Sequence, residues 1–491
     1  VTLGGTGESM TSGRTAVRLR RPEAPQRATF LELFFDLAFV FALFQLSHEL
    51  LQHLRWTGAL QVLIVFLAVW RIWGITTWIT DRFDPQWQPL QLMVIVSLLG
   101  ILILAAALPH AFGKYGLIFA SIYVAMQIGR YLALVLAMRG HKLQPVVMRA
   151  VLWAGVTAVP WIAGAFVHGA AREGLWALAV AIDYAVFALN FPIPGAARVT
   201  PTWEPPVAAE HYAERYQQVF IIALGELILV SGLALTAGGF APTRTVAFVV
   251  SIATAALLWR IYIYRAGELL SAALAASPLS ARLGRFTVYA HLTMVFSIVV
   301  TAVGNQLVIS HPSGRTQLAW AVVVLGGPAL FLVARAGFEY TVFARVSWYR
   351  TVGVLLLAAL TRLTLPASPL LAAVAATAVL TAVKTEGIDD LLDHYPTVKF
   401  LADSGYRGLA NDHPDQVIAP PLKPKKDASP DQIAAYETIR KAQSSQRIPA
   451  EHAIALIKWW RPLQRYTGRR EVLPDIIHAV TGLAADRAAE W

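Results

Sequence analysis

The feature that most constrains this chain is a series of long, nearly uncharged apolar blocks. The first begins "ATFLELFFDLAFVFALFQLSHEL" at residue 28. Blocks of roughly 17–25 residues are the length that crosses a bilayer as a helix. Spans are predicted near 31–51, 58–79, 90–109, 113–138, 147–168, 174–192, 216–237, 243–264, 287–309, 317–337, 350–365 and 367–383, the last two being short. A water-soluble fold has nothing with which to cover twelve such blocks. The expected fold class is therefore an all-α polytopic membrane protein of about twelve transmembrane helices.

Composition supports that class. Hydrophobic residues make up 56% of the 491 and charged residues 14%, against about 25% charged in soluble domains. There is no cysteine, which excludes disulfides and thiolate metal sites. The net charge is +11, yet residues 384–491 hold fifteen Lys/Arg and fifteen Asp/Glu. The excess lies wholly in the apolar part, which favours anionic lipid over nucleic acid as its partner.

Residues 1–29 are rich in Gly, Ser and Thr and end "RLRRPEAPQR". They read as a flexible cytoplasmic segment. No cleavage site follows the first apolar block, so that block reads as a retained span and not a signal peptide. Val1 and Met10 leave two translation starts open. With the amino terminus cytoplasmic, one set of connections carries Arg139, Lys142, Arg149, Arg198, Arg215, Arg265, Arg282, Arg285, Arg345 and Arg350. The opposite set holds single charges: Arg55, Lys114, Arg172, Arg244, Arg315 and Arg362. This is the positive-inside pattern. It places both termini in the cytoplasm and the chain in a bacterial inner membrane.

Charges inside the blocks are the candidate site. Glu32 and Asp36 are four residues apart and share a helix face. A charge at the bilayer centre costs at least about 2.5–3.5 kcal/mol, so such groups face a partner or a water-filled path. His48 and Glu49 lie at the far end of the first block. Arg71, Arg130, Asp183, Glu226, Arg260, His291, Asn305 and Arg335 fall within later ones. Glu226 follows Gly225 near a block centre and is expected to need a donor such as Arg71 or Arg130. His291 and Asn305, fourteen residues apart, are too distant to form one ligand set. No His/Asp/Glu cluster has metal-ligand spacing, and no cofactor is expected. Interhelical pairing and a role in ion, proton or solute passage both remain open for these groups.

Three stretches carry a family resemblance: "RATFLELFFDLAFVFALFQLSH", "ERYQQVFIIALGELIL" and "HLTMVFSIVVTAVGNQLV". Over about residues 20–380 the chain resembles the bacterial low temperature requirement protein A family. That resemblance implies an integral membrane protein of unassigned biochemical activity. It directs attention to Glu32, Asp36, His48, Arg215, Glu226, His291 and Asn305.

The sequence changes character after about Val383. "TEGIDDLLDHYP" reads as a short amphipathic helix, "TVKFLAD" and "QVIAPP" as strands, and 431–445 and "RIPAEHAIALIKWWRPLQRY" as helices. A strand-end Asp403 and a helical Glu451 suit two-metal phosphodiester chemistry. "LADSGYRG", "VIAPPLKPKK" and "SSQRIPAEHAIALIKWWRPLQRYTGRREVL" resemble the carboxy-terminal half of a DDE-type insertion-sequence transposase. The resemblance implies part of a ribonuclease-H-like α/β core with Asp403 and Glu451 as its second and third acids. The strand bearing the first acid is missing, and Asp389, Asp390 and Asp393 on a helix are poor substitutes. The expected organisation is 1–29 flexible, 30–383 transmembrane, and 384–491 a truncated, catalytically silent transposase-like segment joined by gene fusion. The expected function is that of a membrane protein in transport or stress adaptation. Its partners are then the lipid bilayer and a small solute or ion. A purely structural membrane protein and a membrane-tethered nuclease are the alternatives.

Overall fold

In the computed structural model the chain divides into two compact units, 1–385 and 386–491, and each is described by itself. The structure describes Arg20 and residues 27–141, 143–193, 195, 209–263, 280–343, 346–383, 400–401, 414–418, 429, 433–434, 436–438 and 440–441. Asp403 and Glu451, the first nineteen residues and most of the tail lie outside them.

The first unit is helical throughout its described part. Its helices are α1 Phe30–Gln52, α2 Trp56–Arg82, α3 Gln88–Ala107, α4 Gly116–Ala137, α5 Gln144–Phe166 and α6 Ala170–Ala188. They continue with α7 Ala209–Gly238, α8 Pro242–Tyr262, α9 Ser280–Ser310, α10 Leu318–Phe343, α11 Trp348–Leu363 and α12 Pro369–Val383. Nine of them, α1 to α5 and α7 to α10, are long and apolar enough to cross a membrane. The other three fall short for visible reasons. Helix α6 carries Arg172, Glu173 and Asp183 within 19 residues, and α11 and α12 have 16 and 15 residues. Helices α7 and α9 also start about seven residues earlier than expected from apolarity alone.

Outward faces are apolar. On α3, Leu92, Val96, Leu99 and Ile103 are exposed in one stripe, and on α5 Met148, Leu152, Val156 and Val159 form another. Stripes of this size in water would drive aggregation, whereas facing lipid tails they need no partner. Inside lipid, close packing holds helices together more than water exclusion does. The α9–α10 contact is of that kind. A Cβ added at Gly327 would lie 2.5 Å from Thr301 Oγ1 and 2.8 Å from its backbone N, and one at Gly304 would lie 2.9 Å from Val324 Cα. The core between the helices is aromatic, with Trp70, Trp73, Trp161 and Trp176 fully buried.

The helices form two halves that share eight packed helix pairs, the second half adding α9–α12 and α10–α12. In the first half α1 packs on α2 and α3, α2 on α3, α4 and α6, α3 on α4, α4 on α5, and α5 on α6. Advancing every label by six gives a packed pair in the second half in each case. The sequence carries the same repeat at one place: Trp70-Arg71-Ile72-Trp73 on α2 and Trp259-Arg260-Ile261-Tyr262 on α8. A matching bond accompanies it. Arg130 Nη1 on α4 donates to the Ile72 carbonyl at 3.0 Å, and Arg335 Nε on α10 donates to the Ile261 carbonyl at 3.1 Å. The halves meet where α1 packs on α7 and α9, and α2 on α7 and α9.

In the second unit, β1 Phe400–Leu401 pairs in parallel with β2 Val417–Ile418, Phe400 opposite Val417. Both pairs fall inside the stretches read as strands. The described positions between 433 and 441 are helical.

Candidate functional site

The seam between the two halves is polar. It begins at the start of α1, where the Thr29 hydroxyl caps the helix and Glu32 accepts from the Thr29 backbone N–H at 2.8 Å, a reciprocal capping box. The other carboxylate oxygen of Glu32 lies 3.0 Å from His211 Nε2 on α7, and His211 Nδ1 lies 3.3 Å from Asp81 Oδ1 on α2. One turn further along, Asp36 accepts two hydrogen bonds from Arg215, at 2.7 and 2.8 Å, and a third from Trp73 Nε1 at 3.0 Å. Arg215 Nε also lies 3.8 Å from Glu32. Asp36, His211 and Arg215 have no exposed surface and Glu32 and Asp81 almost none.

The geometry follows from one register. Glu32 and His211, and Asp36 and Arg215, are each 179 residues apart. Two pairs with the same separation, each advancing four residues per step, require α1 and α7 to run parallel in contact. The same step from Ser47 on α1 leads to Glu226 on α7. Ser47 does face Glu226, and among the described residues neither side chain has a partner in strict hydrogen-bonding geometry. Glu226 is fully buried with both carboxylate oxygens unsatisfied.

Beside the seam lies a cavity of about 90 Å³, where a single water needs roughly 10–15 Å³ on the same measure. Its wall is apolar and aromatic, with Trp70, Trp78, Tyr131, Tyr184, Phe187 and Tyr216 among its residues, and Arg71 enters it. Tyr216 packs edge-on against Trp73 with centroids 5.2 Å apart, so the cavity wall touches the side chain that binds Asp36. Arg71 Nη2 donates to Tyr131 Oη at 3.2 Å, its guanidinium sits 4.7 Å over the Phe187 ring, and its Nε has no hydrogen-bond partner among the described residues.

Several sequence expectations are corrected here. Arg215 was placed in a connection, but it is a helical residue buried against Asp36. The polar run "HYAER" before the seventh expected span reads as a connection because its partners lie far away in sequence. Arg71 and Arg130 were the expected donors to Glu226, but neither reaches it. Arg130 instead binds the Met126 and Ile72 carbonyls, Thr76 and Gln127. Arg350, taken as a loop charge, is buried and pairs with Glu339 at 2.7 Å, and Glu339 also binds Arg335. Arg172, another expected loop charge, donates to the carbonyls of Ala111, Gly113, Gly164, Ala165 and Val167.

His291 lies off the seam and is hydrogen-bonded to Tyr262 Oη at 2.9 Å and to the Thr287 carbonyl at 2.8 Å. Asn305 Nδ2 is buried without a hydrogen-bond partner among the described residues. His48 is exposed beside Gln52. Sequence reasoning missed His211, Asp81 and Trp73. Two four-residue spacings, acid–acid in the first block and base–base in the seventh, were the available signal. Among the described residues no group of three His, Asp or Glu side chains is arranged to hold a metal ion.

A profile of the bacterial low temperature requirement A proteins matches residues 27–385, which contain the whole polar seam. An uncharacterized protein of Rhizobium meliloti strain 1021 is 34% identical over 323 residues, covering 64% of this chain and 78% of that relative. No solved structure matches. The chain thus belongs to the bacterial low temperature requirement A protein family.

Proposed function

We propose that the protein is a membrane transporter whose two six-helix halves move against each other around the α1–α7 seam. One observation carries this reading. The buried acids and bases collect where two halves with matching helix pairs meet, and they end in Glu226, a carboxylate that faces the Ser47 hydroxyl and has no basic partner among the described residues. Transporters are commonly built from such repeats, with their sites at the repeat interface. An ionisable residue left unpaired in the membrane points to function. A structural seam of paired charges accounts for Asp36 and Arg215 but leaves Glu226 unexplained. In this reading α6, α11 and α12 complete about twelve spans, Arg139 and Arg149 lie on the cytoplasmic side, and both termini are cytoplasmic. Residues 384–491 are a transposase-like remnant, and Asp403 and Glu451 cut no DNA for want of a third acid.

The absence of cysteine makes the test direct. Single substitutions Ser47→Cys and Ala38→Cys place thiols on the buried seam, and His48→Cys serves as the exposed control. Both seam thiols should react with a membrane-impermeant reagent, from opposite sides of the membrane. Labelling of the control with no reaction at either seam position, at any temperature that preserves the fold, would rule out alternating access. Glu226→Gln should change the balance between the two accessibilities without unfolding the protein.

A further inference from the structure

The cavity beside the seam has the chemistry of a binding site. It lies within one end of the bundle, between the later parts of α2, α4 and α6 and the early parts of α5, α7 and α9. Arg71 is more than nine-tenths buried, and among the described residues no carboxylate is within ion-pair distance of it. The nearby acid, Asp183, attracts the Arg71 cation through space without direct contact and is held by Tyr123 Oη at 3.0 Å. Burying a cation without a paired anion is costly, and a guanidinium with a free N–H on an aromatic wall is half of an anion site. Phe187 packs against one face of it. The remaining lining is aromatic and aliphatic, with Gly74 and Ala150 as its small residues; it offers a flat apolar body a surface and gives a multiply charged anion such as phosphate a single cation.

We infer that this cavity binds a small organic monoanion with a flat apolar body, an aromatic carboxylate being the best fit, with Arg71 as its counter-charge. The carboxylate meets the guanidinium of Arg71, and the rings of Trp70, Trp78 and Tyr184 enclose the body. Binding against Tyr216 couples to the seam through Trp73 and Asp36. The inference rests on the transport reading only in making this anion the cargo; the binding itself stands apart from it.

The test uses the full chain in detergent, with 2-naphthoate as probe and quenching of the cavity tryptophans as signal. Saturable quenching by 2-naphthoate is expected, at least about tenfold weaker for the neutral 2-naphthol, since a charge-assisted bond at a buried site is worth more than one decade. Inorganic phosphate should not compete. Arg71→Gln should weaken naphthoate at least about tenfold, and Arg71→Lys should recover part of it. Gly74 lines the cavity, and a Cβ there meets nothing within 4 Å. Gly74→Leu should therefore fill the space and abolish binding with Arg71 intact, which keeps the test sound if Arg71→Gln fails to fold. A laurate arm identifies the source: tighter laurate than naphthoate means an anion drawn from the bilayer, the reverse one drawn from water. Equal naphthoate affinity in Gly74→Leu, or naphthol binding as tightly as naphthoate, overturns the inference. Naphthoate binding without seam accessibility leaves the site standing and removes transport.

Discussion

Removing the charge of Asp36 is the sharpest test of the seam. Asp36→Asn keeps the side-chain shape but leaves Arg215, which has no exposed surface, with Glu32 at 3.8 Å as its one acid within ion-pair distance among the described residues. Breaking a buried pair from one side costs about 3–5 kcal/mol, because the other charge is stranded. The Asn carbonyl still accepts one bond and Glu32 takes part of the charge, so the lower end, about 3 kcal/mol, is expected. The double variant Asp36→Leu with Arg215→Met strands nothing, and replacing a buried pair by apolar groups is often near neutral. The double-mutant cycle should therefore give a coupling of about 2 kcal/mol or more. Reversible unfolding in mixed micelles, followed by tryptophan fluorescence, reads the wild type, Asp36→Asn, the single variants Asp36→Leu and Arg215→Met, and the double variant. A cost under about 1 kcal/mol for Asp36→Asn, or additive single variants, would mean that the two-bond geometry does not hold α1 to α7.

Two further substitutions test the scaffold. Arg172→Met removes donors from five carbonyls that close the α4 entry and the α5–α6 corner; a loss of about 3 kcal/mol or more is expected in the same unfolding assay. Gly327→Ala places a methyl 2.8 Å from a backbone nitrogen of α9, so the helices must separate. A cost of about 1–3 kcal/mol is expected, while Gly326→Ala beside it, which meets nothing within 4 Å, should change stability by less.

The helices were legible in the sequence because spanning lipid imposes a length, and that length survives any choice of neighbour. The site was legible only by half. Glu32 and Asp36 stand out as acids in an apolar block, but their basic partners lie 179 residues away in the chain, in a stretch polar enough to look like a loop. His211 and Arg215 made that stretch hydrophilic, and pairing with α1 and α2 is what lets it continue as helix. Glu226 misled in the opposite sense. A buried acid suggests a buried base, yet Arg130 is used up on the Ile72 carbonyl, a contact repeated by Arg335 at Ile261. The duplicated Trp-Arg-Ile-aromatic motif was present in the sequence, and only the matching bond gives it meaning.

The register of α1 on α7 has a consequence for how this protein can be assembled. Helices at equivalent places in the two halves face each other, and one offers acids where the other offers bases. A half of this chain meeting its own copy would set Glu32 against Glu32 or Arg215 against Arg215. Each half is thus mismatched to itself and complementary to the other. Expressed as separate pieces, the two would form mixed pairs and shun like ones, and their one-to-one stoichiometry is secured by joining them in a single polypeptide.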